Sequence, residues 1–126
     1  MYNLKHYKMK KTIFITGASS GLGKAAALLF QANGWKVIAT MRKPENEVEL
    51  TNLKNVKVVQ LDVTDSSQIK ETISKILETD PVDVVLNNAG YGLIGPLESF
   101  SEVQINDQIQ TNLFGVINVT KAFVSN

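Results

Sequence analysis

The 126 residues are 44% apolar and 20% charged, a balance that predicts a globular chain with a core rather than a disordered one. A formal charge of +1, with acids and bases interspersed, offers no basic field for nucleic acid or a membrane surface, and no apolar run reaches membrane-spanning length. The absence of cysteine excludes disulfides, zinc thiolates and thiol catalysis, and fits a reducing, cytoplasmic setting.

Met1 to Lys8 is polar and basic, so residues 1–9 are expected to be a disordered lead-in and residues 10–126 one domain. Lys11 to Thr16 is an apolar, β-rich run that stops at Gly17 and reads as a strand buried on both faces. Leu22 to Asn33 follows as a helix with Ala25, Ala26, Leu29 and Phe30 at helical spacing, and Gly34 stands where a helix end needs positive φ. Trp35 to Met41 is a second strand, Pro44 opens a helix to about Leu53, and Val56 to Leu61 is a third strand. Asp65 caps a helix with Ile69, Ile73, Ile76 and Leu77 on one stripe and Gln68 at the capping-box position. After Pro81, Val82 to Leu86 forms a fourth strand and Gly90 to Pro96 a glycine-rich loop. Ser101 then starts a long helix bearing Ile105, Ile109, Leu113, Val116 and Phe123. Strands joined by helical crossovers are parallel, and right-handed crossovers cover both faces, so the fold class is a doubly wound α/β domain of Rossmann type.

Gly17-x-x-x-Gly21-x-Gly23 falls between the first strand and the first helix. Glycines there let the backbone turn sharply and approach a pyrophosphate, while the N–H groups of the helix starting near Leu22 face the anion. Gly23 also lets that helix lie close to the sheet. About 20 residues on, where an acid would bind the 2′-hydroxyl of NAD, stands Met41; Arg42 and Lys43 follow and suit a 2′-phosphate, so NADP is expected rather than NAD.

Thr-Gly-Ala-Ser-Ser-Gly-Leu-Gly at 16–23, Leu-Asp-Val at 61–63, Asn-Asn-Ala-Gly at 87–90 and Asn112 together resemble a short-chain dehydrogenase/reductase. The resemblance covers the chain from about Lys10 onward. It implies a cofactor site of Gly17, Ser19, Ser20, Gly21, Leu22, Gly23, Arg42, Asp62, Val63, Asn88, Ala89 and Gly90. Within it, Asp62 and Val63 meet the adenine, and Asn87 to Gly90 stabilise the sheet beside the cofactor. Asn112 is implied as the asparagine of the family's Asn-Ser-Tyr-Lys catalytic set. Local alternatives remain open: Asp62 as a cap on the turn into Thr64, and Asn87 and Asn88 as staples for the loop backbone. Asn112 shares the apolar stripe of the last helix, where a buried amide would need partners.

The family's chemistry rests on a Tyr-x-x-x-Lys pair on a later helix, and the sequence reaches Asn126 before that region. Tyr7 and Lys11 have the spacing but precede the first strand, at the wrong end for a cofactor. The expectation is therefore a truncated, cofactor-binding portion, inactive by itself, of an enzyme moving hydride between NADP(H) and a carbonyl or alcohol. A non-catalytic dinucleotide-binding or interaction module is the alternative. Four strands in order 3-2-1-4, lacking the family's later strands, leave the fourth strand edge and the last helix open, which predicts a homo-oligomer. Tyr91, Leu93, Ile94 and Leu97 either hint at an apolar substrate or pack their own loop down.

Overall fold

The computed structural model describes residues 10–125, so the predicted lead-in and Tyr7 lie outside the described residues. Four parallel strands, β1 (Thr12–Ile15), β2 (Lys36–Met41), β3 (Val56–Gln60) and β4 (Val84–Leu86), form one sheet in the order β3-β2-β1-β4. Helix α1 (Gly21–Ala32) follows β1, and α2 (Ser66–Thr79) follows β3. After β4 come α3 (Glu102–Ile109), a π-helical turn at Gln110–Phe114, and α4 (Gly115–Val124). No described helix is long and apolar enough to cross a membrane.

The alternation of side chains along β1 and β2 builds two cores. Ile13, Ile15, Val37, Ala39 and Met41 pack on one side with Ala27 of α1. Phe14 and Ile38 pack on the other with Ile69, Ile73 and Ile76 of α2 and Val119 and Ala122 of α4. From Thr12 to Ile15 and from Val37 to Met41 every residue of the inner strands is buried, and mostly apolar, because both faces are covered. β4 has a single neighbour, β1, and Val84 at its start is 39% exposed.

Four local expectations are corrected. Pro44 to Leu53 is two 3₁₀ turns, Pro44–Asn46 and Leu50–Asn52, because Glu47 turns inward between them to take the Leu50 N–H at 2.9 Å. Gln68 does not close a capping box: Asp65 accepts from the Ser67 and Gln68 N–H groups, but the Gln68 side chain accepts from the Asp62 N–H at 2.5 Å instead. On α1 the core side holds Gly23 and Ala27, with Ala26 and Phe30 half-buried, while Ala25 and Leu29 face outward. On the last helix the π turn adds a residue and rotates the phase. Gly115, Val119 and Ala122 are buried, while Ile109, Leu113 and Val116 are exposed.

At the amino end of the sheet, Asp80 is buried and pairs with Lys36 of β2 and, at 3.5 Å, with Lys57 of β3. The Lys36 ammonium, helped by Thr79 and Lys57, holds the Asp80 carboxyl below its ordinary value despite its burial. A carboxyl depressed by folding stabilises the fold above its unfolded pKa, and loses that contribution as pH falls through its folded value. The lysine side chains are 40% and 50% exposed, which screens the pairs. Asp80→Asn is expected to cost about 1–2 kcal/mol near neutral pH. Urea denaturation of variant and parent should converge once the pH drops well below the usual carboxylate range; a gap independent of pH would refute the assignment.

Candidate functional site

The carboxyl ends of all four strands open into one cleft of about 1120 Å³, slightly beyond the roughly 300–1,000 Å³ typical of small-molecule sites. Its walls come from the glycine turn after β1, Met41 and Arg42 after β2, Leu61 to Thr64 after β3 and Asn88 to Tyr91 after β4. Gln110 and Thr111 of the π turn close the far side.

The glycine turn is held from two directions. The Ala18 N–H donates to the Thr40 carbonyl at 3.0 Å, tying the turn to β2. The Asn88 side chain donates to the Thr16 and Gly17 carbonyls at 3.1 and 3.0 Å. The Thr16 hydroxyl accepts the N–H groups of Asn88 and Ala89, each at 3.0 Å. Gly17 has φ +67°, and a Cβ there would stand 2.8 Å from the Ala89 Cα. At Gly23 a Cβ would collide with the Gly17 carbonyl and the Asn88 amide, so this glycine serves contact with the turn. Gly21, at φ +55°, would put a Cβ into open space.

Ser20 occupies the N-cap of α1 without a side-chain capping bond, leaving the first N–H groups of the helix for an anion. This uncapped terminus on the cleft, with open space beside Gly21, fits a phosphate-bearing ligand. Among the described residues no group of acids and histidines could hold a metal ion.

Of the residues expected at a cofactor, Gly17, Ser19, Ser20, Gly21, Leu22, Arg42, Asp62, Val63, Asn88, Ala89 and Gly90 line this cleft, and Gly23 lies behind it. Asp62 makes the turn cap as well: its Oδ1 accepts from the Thr64 N–H at 2.9 Å and the Thr64 hydroxyl at 2.7 Å. Arg42 is exposed, its carbonyl accepts from the Gln60 amide at 3.1 Å, and its guanidinium joins no ion pair among the described residues. Asn88 is the staple, while Asn87 donates to the Thr120 hydroxyl at 3.1 Å.

Asn112 departs from its expected burial. It is exposed, off the cleft wall, and its amide binds the Tyr91 backbone both ways: Oδ1 accepts the N–H at 3.0 Å and Nδ2 donates to the carbonyl at 2.6 Å. The phase shift of the π turn, and the absence of any described element over this face, account for the difference. Gln108 also donates to the Tyr91 carbonyl, at 3.3 Å. Tyr91, Ile94 and Leu97 are exposed, Ile94 at 97%, so they do not pack their own loop down.

Sequence reasoning missed Lys24 and Glu47. Lys24 reaches from α1 to both Glu47 oxygens at 3.3 Å and to Glu49 at 3.0 Å. The Glu47 carboxyl is held below its ordinary value, first by the Leu50 N–H and then by Lys24. Glu49 first, and Glu47 with it, hold the Lys24 ammonium above its own. No local pattern reports this pair, since its members are 23 residues apart.

The glycines separate by role, and stability measurements read the difference. Gly23→Ala requires backbone movement and is expected to cost about 2–3 kcal/mol. Gly21→Ala meets no neighbour and is expected to cost only about 1 kcal/mol from its left-handed backbone. Equal losses in denaturant titrations would contradict this division.

Comparison with known proteins agrees with the geometry. The sequence model described as short chain dehydrogenase matches residues 11–126. A 3-ketodihydrosphingosine reductase of Bacteroides thetaiotaomicron is 40% identical over 111 residues, spanning 87% of this chain and 39% of that protein. The crystal structure of a short-chain dehydrogenase from Streptomyces avermitilis superposes with a TM-score of 0.84 at 33% identity, covering 91% of this chain and 43% of the other. ElxO with NADP bound superposes with a TM-score of 0.83 at 35% identity, covering 93% and 50%. The chain thus spans about two fifths of the length of the curated relatives it matches.

Proposed function

The chain belongs to the short-chain dehydrogenase family, and on that premise we propose that these residues are the NADP-binding portion of an oxidoreductase acting on a small carbonyl or alcohol. The observation that carries this reading is one cleft holding an uncapped helix terminus, Asp62 and a guanidinium that joins no ion pair among the described residues. Support for NADP comes from ElxO, whose structure holds that cofactor. Support for a carbonyl substrate comes from the related 3-ketodihydrosphingosine reductase.

A bound nicotinamide supplies hydride transfer. The residues of the chain bind and orient. The N–H groups at the start of α1 take the pyrophosphate, with Ser19, Ser20 and Leu22 at its rim. Asp62 and Val63 meet the adenine, and Arg42 and Lys43 pair with the 2′-phosphate. Asn88, Ala89 and Gly90 form the floor, and Asn112 sets the Tyr91 backbone at the mouth. No described helix carries a Tyr-x-x-x-Lys pair: Tyr91 lies in a loop with Gly95 four residues on. These residues therefore bind cofactor without turning over substrate.

Calorimetric titration is expected to show NADPH binding about tenfold more tightly than NADH, with Arg42→Ala removing most of that ratio. Equal affinities, or a ratio indifferent to Arg42, would overturn the NADP assignment. Turnover of NADPH with a carbonyl panel at rates ordinary for a reductase would overturn the claim of inactivity. The exposed Leu113, Phe114, Val116 and Ile117 support self-association through the last helix. Light scattering should then show mass rising with concentration; a monomer at high concentration counts against it.

A further inference from the structure

We propose that Lys24 and Glu47 are positioning residues for cofactor selectivity: their ion pair fixes the loop after β2 so that Arg42 and Lys43 meet an adenosine 2′-phosphate. The inference rests on the NADP reading and concerns two side chains that do not line the cleft.

Lys24 stands one residue beyond Gly23, in the first turn of α1, where contact of Gly23 with the Gly17 carbonyl leaves the helix little freedom. Its ammonium spans both Glu47 oxygens and Glu49. The Glu47 side chain is only 4% exposed. Its Oε1 accepts the Leu50 N–H, and its carbonyl accepts the Thr51 hydroxyl at 2.9 Å. The Asn52 amide donates to the Val48 carbonyl at 2.8 Å, and Leu50 is fully buried in the α1-side core.

Residues 47–52 are thus a rigid anchor. Arg42 and Lys43 lie between that anchor and Met41, the buried last residue of β2. The bases that would read a 2′-phosphate are exposed and reach no ion-pair partner of their own among the described residues. Their placement depends on the two ends of this short span. Removing the Lys24 charge leaves the Glu47 carboxylate buried without its cation, which favours swinging that end outward. NADH carries no 2′-phosphate and makes no use of Arg42 or Lys43, so the loss falls on NADPH. The pair therefore couples the phosphate turn to the adenosine loop.

The test uses Lys24→Met, Glu47→Gln and the conservative Lys24→Arg. Affinities for NADPH and NADH are measured by calorimetry. Trypsin cleavage after Arg42 is followed by mass spectrometry without nucleotide; Pro44 blocks the neighbouring site after Lys43. Lys24→Met and Glu47→Gln are expected to lower the NADPH-to-NADH affinity ratio about tenfold and to speed cleavage after Arg42, with Lys24→Arg close to the parent in both. Should Lys24→Met fail to fold, Glu49→Gln removes one partner from an exposed site and should move the ratio the same way by about two- to threefold. Unchanged cleavage overturns the positioning role whatever the nucleotides show, and so does faster cleavage with an unchanged ratio. If the parent protein itself shows no preference for NADPH, the NADP reading falls, and the cleavage rates still decide whether the pair holds the loop.

Discussion

The cleft depends on how two backbone carbonyls are satisfied. Where β1 ends, Thr16 and Gly17 turn away from the sheet, and their carbonyls lose the regular ladder. Asn88, at the end of β4, supplies both missing donors from one side chain. Thr16 answers by accepting two N–H groups from the Asn88 strand end. This exchange joins two loops that are 72 residues apart, and a buried carbonyl left without a donor would cost about 1–3 kcal/mol. It also explains the glycines. The Asn88 amide occupies the space that a side chain at Gly23 would need, and Ala89 occupies the space at Gly17. The glycine turn is therefore shaped as much by β4 as by its own sequence.

Much of this was legible in the residues, and what escaped shares one cause. β1 and β2 are buried on both faces and so appear as mostly apolar runs; their parallel direction follows from the helical crossovers. The glycine spacing located the turn because only a left-handed or close-packed backbone needs glycine there. The Pro44 to Leu53 segment was misread because Pro44 suits the opening of a helix, whereas Lys24, from another element, draws Glu47 inward. Gln68 was misread because the Asp62 N–H, three residues before the cap, competes for it. In each case a distant partner outweighed a local pattern. A scan for local periodicity does not see such partners.

The last helix shows the same limit at the level of phase. A single π turn at Gln110–Phe114 moves the core-facing set to Gly115, Val119 and Ala122. A stripe drawn with one uniform period across the whole helix wrongly puts Leu113 and Val116 in the core, although its Phe123 does pack there, edge-on to Phe14 at 4.9 Å. The turn also changes what Asn112 can do. Both functions of its amide, acceptor and donor, are engaged by the Tyr91 backbone. An asparagine used in this way acts on the mouth of the cleft through the loop it holds, with Gln108 bracing the same carbonyl from one helical turn earlier.

The two faces of the sheet divide the work accordingly. On the α1 side, close packing of small residues and the Lys24–Glu47 pair join the glycine turn's helix to the loop after β2. On the α2 and α4 side, larger apolar side chains supply the core, and Val63, three residues after β3, belongs to that core while also lining the cleft. The cleft lies where both sets meet the strand ends, so a change on either side reaches it by a different route. A disturbance of the α1 side alters the distance between turn and loop. A disturbance of the α4 side acts on the mouth through the π turn and Tyr91, and on the cleft wall through Val63, which lies against Gly115 of α4. The α1 side thus acts on the cleft through the glycine turn and the loop after β2, and the α4 side through Val63 and the Tyr91 backbone.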